Sequence, residues 1–89
     1  MRLIGRDKLK RIGGDVDRWL RSWCSEVAHA HWRRAQDVTD QFPNARARSG
    51  SDFLFPIGNS GYSVRLQVAF AQGIALILEM NEIDTPYGR

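Results

Sequence analysis

Apolar residues recur at two different periods along this chain, and the change from one to the other separates a helical first half from a stranded second half. After the short apolar opening Arg2-Leu3-Ile4, closed by Gly5, Leu9 and Ile12 lie three apart and predict a short helix over residues 6–12 that Gly13-Gly14 ends. Asp15 is expected to cap the next helix, in which Val16, Trp19, Leu20, Trp23, Val27 and Ala30 repeat at three- and four-residue steps as far as about His31. Arg18, Arg21, Ser22, Ser25 and Glu26 fall mainly on its other side, so this helix covers something apolar. Residues 35–41 read as a second, short helix, stopped before Pro43 by the restriction a proline places on its predecessor, with Val38 and Phe42 both able to point inward.

Beyond the polar loop Arg46-Ala47-Arg48-Ser49-Gly50-Ser51 the period falls to two. Phe53, Phe55 and Ile57 share one face, and Gly58-Asn59-Ser60-Gly61 makes a turn. Val64, Leu66, Val68 and Phe70 then point one way while Ser63, Arg65, Gln67 and Ala69 point the other. After a second turn at Ala71-Gln72-Gly73, Ile74, Leu76, Leu78 and Met80 are expected to continue the apolar face. Helices first and hairpins later predict an α+β domain: N-terminal helices packed on one face of a small, mainly antiparallel sheet, with Arg65 and Gln67 on the other face.

Length changes this picture little: 89 residues, 43% hydrophobic and 26% charged, are expected to form one domain over positions 1–89. The single cysteine, Cys24, excludes a disulfide within the chain and a zinc site built on several thiolates, and it fits a reducing compartment. No apolar run approaches the roughly 18 residues of a membrane span. Met1-Arg2-Leu3-Ile4 leads into charge rather than into a signal-peptide core, so a cytoplasmic protein without membrane contact is expected. Net charge is only +3, but among the thirteen cations only Lys8 and Lys10 are lysines. Guanidinium groups fork onto phosphate oxygens and stack on bases, so the arginine bias favours a polyanionic partner over a merely solvated surface.

One segment carries more than a period. Ala30-His31-Trp32-Arg33-Arg34-Ala35-Gln36-Asp37-Val38, followed by Phe42-Pro43-Asn44-Ala45, resembles the central signature of the HigB-type toxins, A-x-W-x-x-x-x-D-V and then F-P-x-A. The opening Met1-Arg2-Leu3-Ile4 with Leu9, the pair Leu20 and Trp23, Phe55-x-Ile57 and Arg65-Leu66 match the same family in the same order, so the likeness runs from residue 1 to about 66. The resemblance implies a RelE-like fold and the toxin role in a toxin–antitoxin pair. It also implies ribosome-dependent mRNA cleavage, a hydrolase activity, and a helix-turn-helix, HigA-like antitoxin as partner, with no membrane. Two places depart from the family. Its G-N-x-Y-R-L segment stands here with Tyr62 and Arg65 pushed two residues further apart, and its T-H-x-x-Y-D ending stands as Ile83-Asp84-Thr85-Pro86-Tyr87-Gly88-Arg89, where Asp84 occupies the histidine position. These departures keep open an alternative, a non-catalytic RNA-binding or protein-inhibiting module on the same fold.

Cleaving RNA by 2′-hydroxyl attack requires a group to take the hydroxyl proton, cations for the charge that develops on phosphorus oxygens, and a donor for the leaving oxygen. No metal cluster and no cofactor motif is visible, so neither is expected. Arg65 is the first candidate for the charge role, against an exposed ion pair as its plainer alternative. Tyr87 could stack on a base or deliver a proton, or simply pack on the sheet edge. Arg46 and Arg48, two apart in a polar loop, suit a phosphate-gripping arm if that loop is extended. Tyr62 and Gln67 are the remaining expected RNA contacts. His29 and His31 diverge on a helix and make poor joint ligands, and Trp19, Trp23 and Trp32 are expected in the core rather than as stacking platforms.

Overall fold

The computed structural model describes residues 1–82 and turns the apolar stripe of the first half into a lid over the alternating strands of the second. Helix α1 (Gly14–His29) buries Val16, Leu20, Trp23, Cys24 and Val27, the side chains that the three- and four-residue spacing places on one face. Trp19 is half-buried and stacks on Trp23 with ring centroids 6.0 Å apart. The helix start is tied by Asp17 rather than by the expected Asp15. Asp17 Oδ1 accepts hydrogen bonds from the backbone N–H groups of Ile12 at 3.1 Å and Gly13 at 3.0 Å, while Asp15 pairs with Arg18 on the surface. The predicted helix over residues 6–12 is only a 3-10 turn, Arg6–Lys8, because Leu9 alone of its apolar pair packs against the core and Ile12 stays exposed.

The family-like segment forms the corner that follows α1. Trp32 is buried, donates its indole N–H to Gln41 Oε1 at 3.0 Å and meets Phe42 edge-on. Helix α2 (Ala35–Gln41) has the bounds that Pro43 predicts, and the Asp37 carboxylate accepts the N–H groups of Arg33 and Arg34 at its entry. Those donors, together with the nearby guanidinium charges, hold the Asp37 carboxyl below the ordinary carboxylate range. Val38 is fully buried, and Phe42 packs edge-on against Phe55 at 5.3 Å.

The second half folds as strands β3 (Asp52–Pro56), β4 (Tyr62–Ala69) and β5 (Ile74–Glu82), an antiparallel meander. Strand β1 (Arg2–Ile4) lies parallel beside β5, and a two-residue β2 (Arg46–Ala47) lies antiparallel on β3, giving the order β1-β5-β4-β3-β2. Phe53, Phe55, Val64, Leu66 and Val68 are buried as the alternation predicts and join the helical residues in one core. The architecture is therefore α+β, two helices packed on a five-stranded, mostly antiparallel sheet. Where β1 ends, Gly5 has φ +95°, and a Cβ there would lie 2.6 Å from the Ile77 carbonyl oxygen, so only glycine lets the chain cross β5 so closely.

Strand β5 departs from its expected phase. Ala75, Ile77 and Met80 are the buried residues, whereas Ile74 and Leu78 are half-exposed and Leu76 is exposed. The cause is a bulge: Arg65 lies opposite Glu79 but Leu66 lies opposite Ile77, which leaves Leu78 without a partner and shifts the alternation by one residue. Simple period-two reading is right for Met80, after the bulge, and inverted for Ile74 and Leu76, before it. Among the described residues, no helix is long and apolar enough to cross a membrane.

Candidate functional site

The sheet face opposite α1 is organised around Arg65. Strand alternation sets it between buried Val64 and Leu66, so its side chain leaves the core, and pairing places it across from Leu54 on β3 and Glu79 on β5. Asp52, two residues from Leu54 along β3, meets the guanidinium side-on: Arg65 donates Nη2 to Oδ2 at 2.7 Å and Nε to both carboxylate oxygens at 3.2 Å. A longer bond runs from Nη1 to Glu79 Oε2 at 3.4 Å. Asp52 is the better shielded partner, with a side chain 17% exposed against 47% for Glu79. It is therefore the anchor, and Glu79 is the partner that solvent or a ligand can replace.

These contacts bias the charged forms of all three groups. The hydrogen bonds from Arg65 hold the Asp52 carboxyl below its usual range, reinforced by the charges of Arg65 and Arg48. Glu79 is lowered first by a hydrogen bond with Asn81 and then by Arg65, and Asp52 raises Arg65 in return. Asp52 and Glu79 are thus held as anions, well suited to aiming a guanidinium and poorly suited to taking a proton near neutrality.

Around Arg65 lies a shallow hollow of about 280 Å³, whose lining includes Arg48, Leu54, Ser63, Glu79 and Glu82. Arg46, Arg48 and Arg65 stand around this face against Asp52, Glu79 and Glu82, so it is charge-balanced rather than basic. Gln67 is exposed on the same face, opposite Asp52. Arg46, opposite Leu54, stands in the same cross-strand row as Arg65, with Arg48 two residues on, and it also borders a cleft of about 550 Å³ between the helices and β3, among Trp19, Phe42 and Pro56. Tyr62 is half-buried and packs against the core, on the side of β4 that carries Val64, and is not beside Arg65. Tyr87 lies outside the described residues.

Neither histidine approaches Arg65: His29 and His31 are exposed at the end of α1, with His29 Nδ1 2.8 Å from the Ser25 carbonyl oxygen. Among the described residues, no group of three or more His, Cys, Asp or Glu side chains is placed to hold a metal ion. The partners that sequence reasoning missed are Asp52 and Glu79. Asp52 follows a loop and carries no motif, and Glu79 faces Arg65 only through the bulge at Leu78. No protein-family model matches the chain, and comparison with curated proteins finds no match.

Proposed function

We propose that this chain is the toxin of a toxin–antitoxin pair, a HigB-type protein of RelE-like fold that cuts mRNA presented by the ribosome. The observation that carries the reading is one guanidinium, Arg65, held by Asp52 and Glu79 on the sheet face turned away from the core, which neither described helix covers. The likeness of the Trp32 to Ala45 segment to the family supports it. In this reading the 2′-hydroxyl gives its proton to solvent water, its oxygen bonds to phosphorus, the bond from phosphorus to the 5′-oxygen breaks, and the products carry a 2′,3′-cyclic phosphate and a 5′-hydroxyl. Arg65 stabilises the charge on the non-bridging oxygens after displacing its contact to Glu79, while Asp52 keeps it aimed. Arg48 and Gln67 hold the flanking backbone, and Tyr87 donates to the leaving oxygen. A cytoplasmic location and a helix-turn-helix, HigA-like antitoxin belong to the same proposal.

A second reading is favoured by the charge balance of the open face: a binding module on the same fold that performs no cleavage. Cell-free translation followed by primer extension separates the two. Ribosome-dependent cuts ending in 2′,3′-cyclic phosphate, absent with Arg65→Ala, support the toxin. An mRNA left intact at stoichiometric protein removes it, and salt-sensitive RNA binding in that same preparation selects the module.

A further inference from the structure

Four cations without a carboxylate partner among the described residues gather away from Arg65, beside helix α1. The segment leaving β1 crosses β5 and returns beside α1, and between the two lies an open cleft of about 530 Å³. Arg6, Lys10 and Arg11 enter it from the segment and Arg21 from the helix. Among the described residues none of the four has a carboxylate within ion-pair distance, unlike Arg18 and Arg65. Asp17, the one acid lining the cleft, has an oxygen engaged by the Ile12 and Gly13 backbone N–H groups. The cleft is therefore strongly positive, and its concave walls concentrate that field.

Its floor is apolar, formed by Leu9, Leu20, Cys24 and Ala28. Cys24 is buried and its thiol is pushed up by that burial, with Arg6 pulling the other way, so it serves as floor rather than as a nucleophile. Cations rimming an apolar concavity match one nucleotide unit, with phosphate on the guanidinium and ammonium groups and the flat face of a base on the floor. A membrane surface is a poorer match, because an interfacial element presents its apolar residues on a protruding face and not at the bottom of a cleft.

We infer that this cleft binds the backbone of single-stranded RNA, a contact separate from the open sheet face. The choice of RNA rests on the function proposed above, whereas the cleft itself is argued from charge and shape alone. It anchors the strand on the helical side by charge, without reading its sequence.

The test is fluorescence anisotropy with a short fluorescein-labelled single-stranded RNA over a potassium chloride series. It compares the parent with the combined variant Arg6→Gln, Lys10→Gln, Arg11→Gln and Arg21→Gln, and with Arg33→Gln, Arg34→Gln as a control that removes charge outside the cleft. All of these side chains are exposed, and a thermal melt checks that each variant folds. The four-site variant is expected to bind at least about tenfold more weakly, with a log–log salt slope shallower by about 0.7 for each phosphate that is no longer neutralised. The control is expected to stay within about twofold of the parent, the size of a bulk-charge effect on exposed sites. Unchanged binding by the four-site variant overturns the inference, as does an equal loss per charge in the control. Co-sedimentation with phosphatidylserine vesicles in place of RNA binding also overturns it. Cleft-dependent binding together with intact mRNA in the translation assay would retain the cleft and remove the toxin.

Discussion

Phe55→Ala tests how the two helices are held on the sheet. Phe55 is 2% exposed and receives Trp23 from α1 and Phe42 from the end of α2, each edge-on with centroids 5.3 Å apart. Removing the ring gives up about 1.5–3 kcal/mol of burial. It also ends two aromatic contacts of about 0.5–1.5 kcal/mol each. Partial collapse around the void keeps the total within the range of about 3–5 kcal/mol usual for a buried phenylalanine. With a urea m-value of about 1–2 kcal/mol/M, the unfolding midpoint falls by at least ~1.5 M. Urea titration followed by tryptophan fluorescence measures it, with Trp23 as a local reporter. A double-mutant cycle with Phe42→Ala is expected to give a coupling of about 0.5–1.5 kcal/mol. A loss below about 1 kcal/mol, or additivity within about 0.3 kcal/mol, would refute this packing of helices through Phe55.

Three further outcomes follow from single contacts. Gly5→Ala places a Cβ against the Ile77 carbonyl at positive φ and should cost about 1–3 kcal/mol, seen as a lowered melting temperature; an unchanged melt contradicts it. Because Arg65 lowers Asp52 from its ordinary value of 3.8, the pair's stabilisation is present above that pH and lost as pH falls through the lower folded-state value. Asp52→Asn should therefore be less stable than the parent at neutral pH and converge with it in acid, and a gap that persists to the lowest pH in urea midpoints counts against the pairing. Cys24, buried and with a raised thiol pKa, should react with a disulfide reagent only slowly in the folded protein and rapidly in urea, so rapid native labelling would show that the floor of the helix-side cleft is misplaced.

Elements governed by local chemistry were legible in the sequence, and those governed by tertiary pairing were not. Helix α2 ends where Pro43 requires, and the stripe of α1 is buried as its spacing dictates. Trp32, Asp37, Val38 and Phe42 build the corner between helices and sheet, so the most specific stretch of sequence serves packing and lies apart from Arg65. Arg65 was placed on the open face by alternation alone. Its carboxylate partners were not, since Glu79 reaches it through an unpaired Leu78 that period two cannot foresee. Residues 46–47, read as loop, become β2 because β3 offers a free edge, and the pairing sets Arg46 opposite Leu54, in the row of Arg65. The open face proved balanced in charge because net composition reports the number of arginines and not where their counter-ions stand.

Whether RNA phosphate reaches the guanidinium of Arg65 decides the proposed chemistry. Titration of a fully 2′-deoxy, uncleavable analogue of an mRNA strand into isotope-labelled protein, followed at the side-chain Nε–H resonance of Arg65, asks this directly. Contact with phosphate at the expense of Glu79 should shift that resonance together with the amides of Ser63 to Gln67. Saturation of the protein with that resonance and those amides unmoved would mean that the Arg65 face is not where the strand is met.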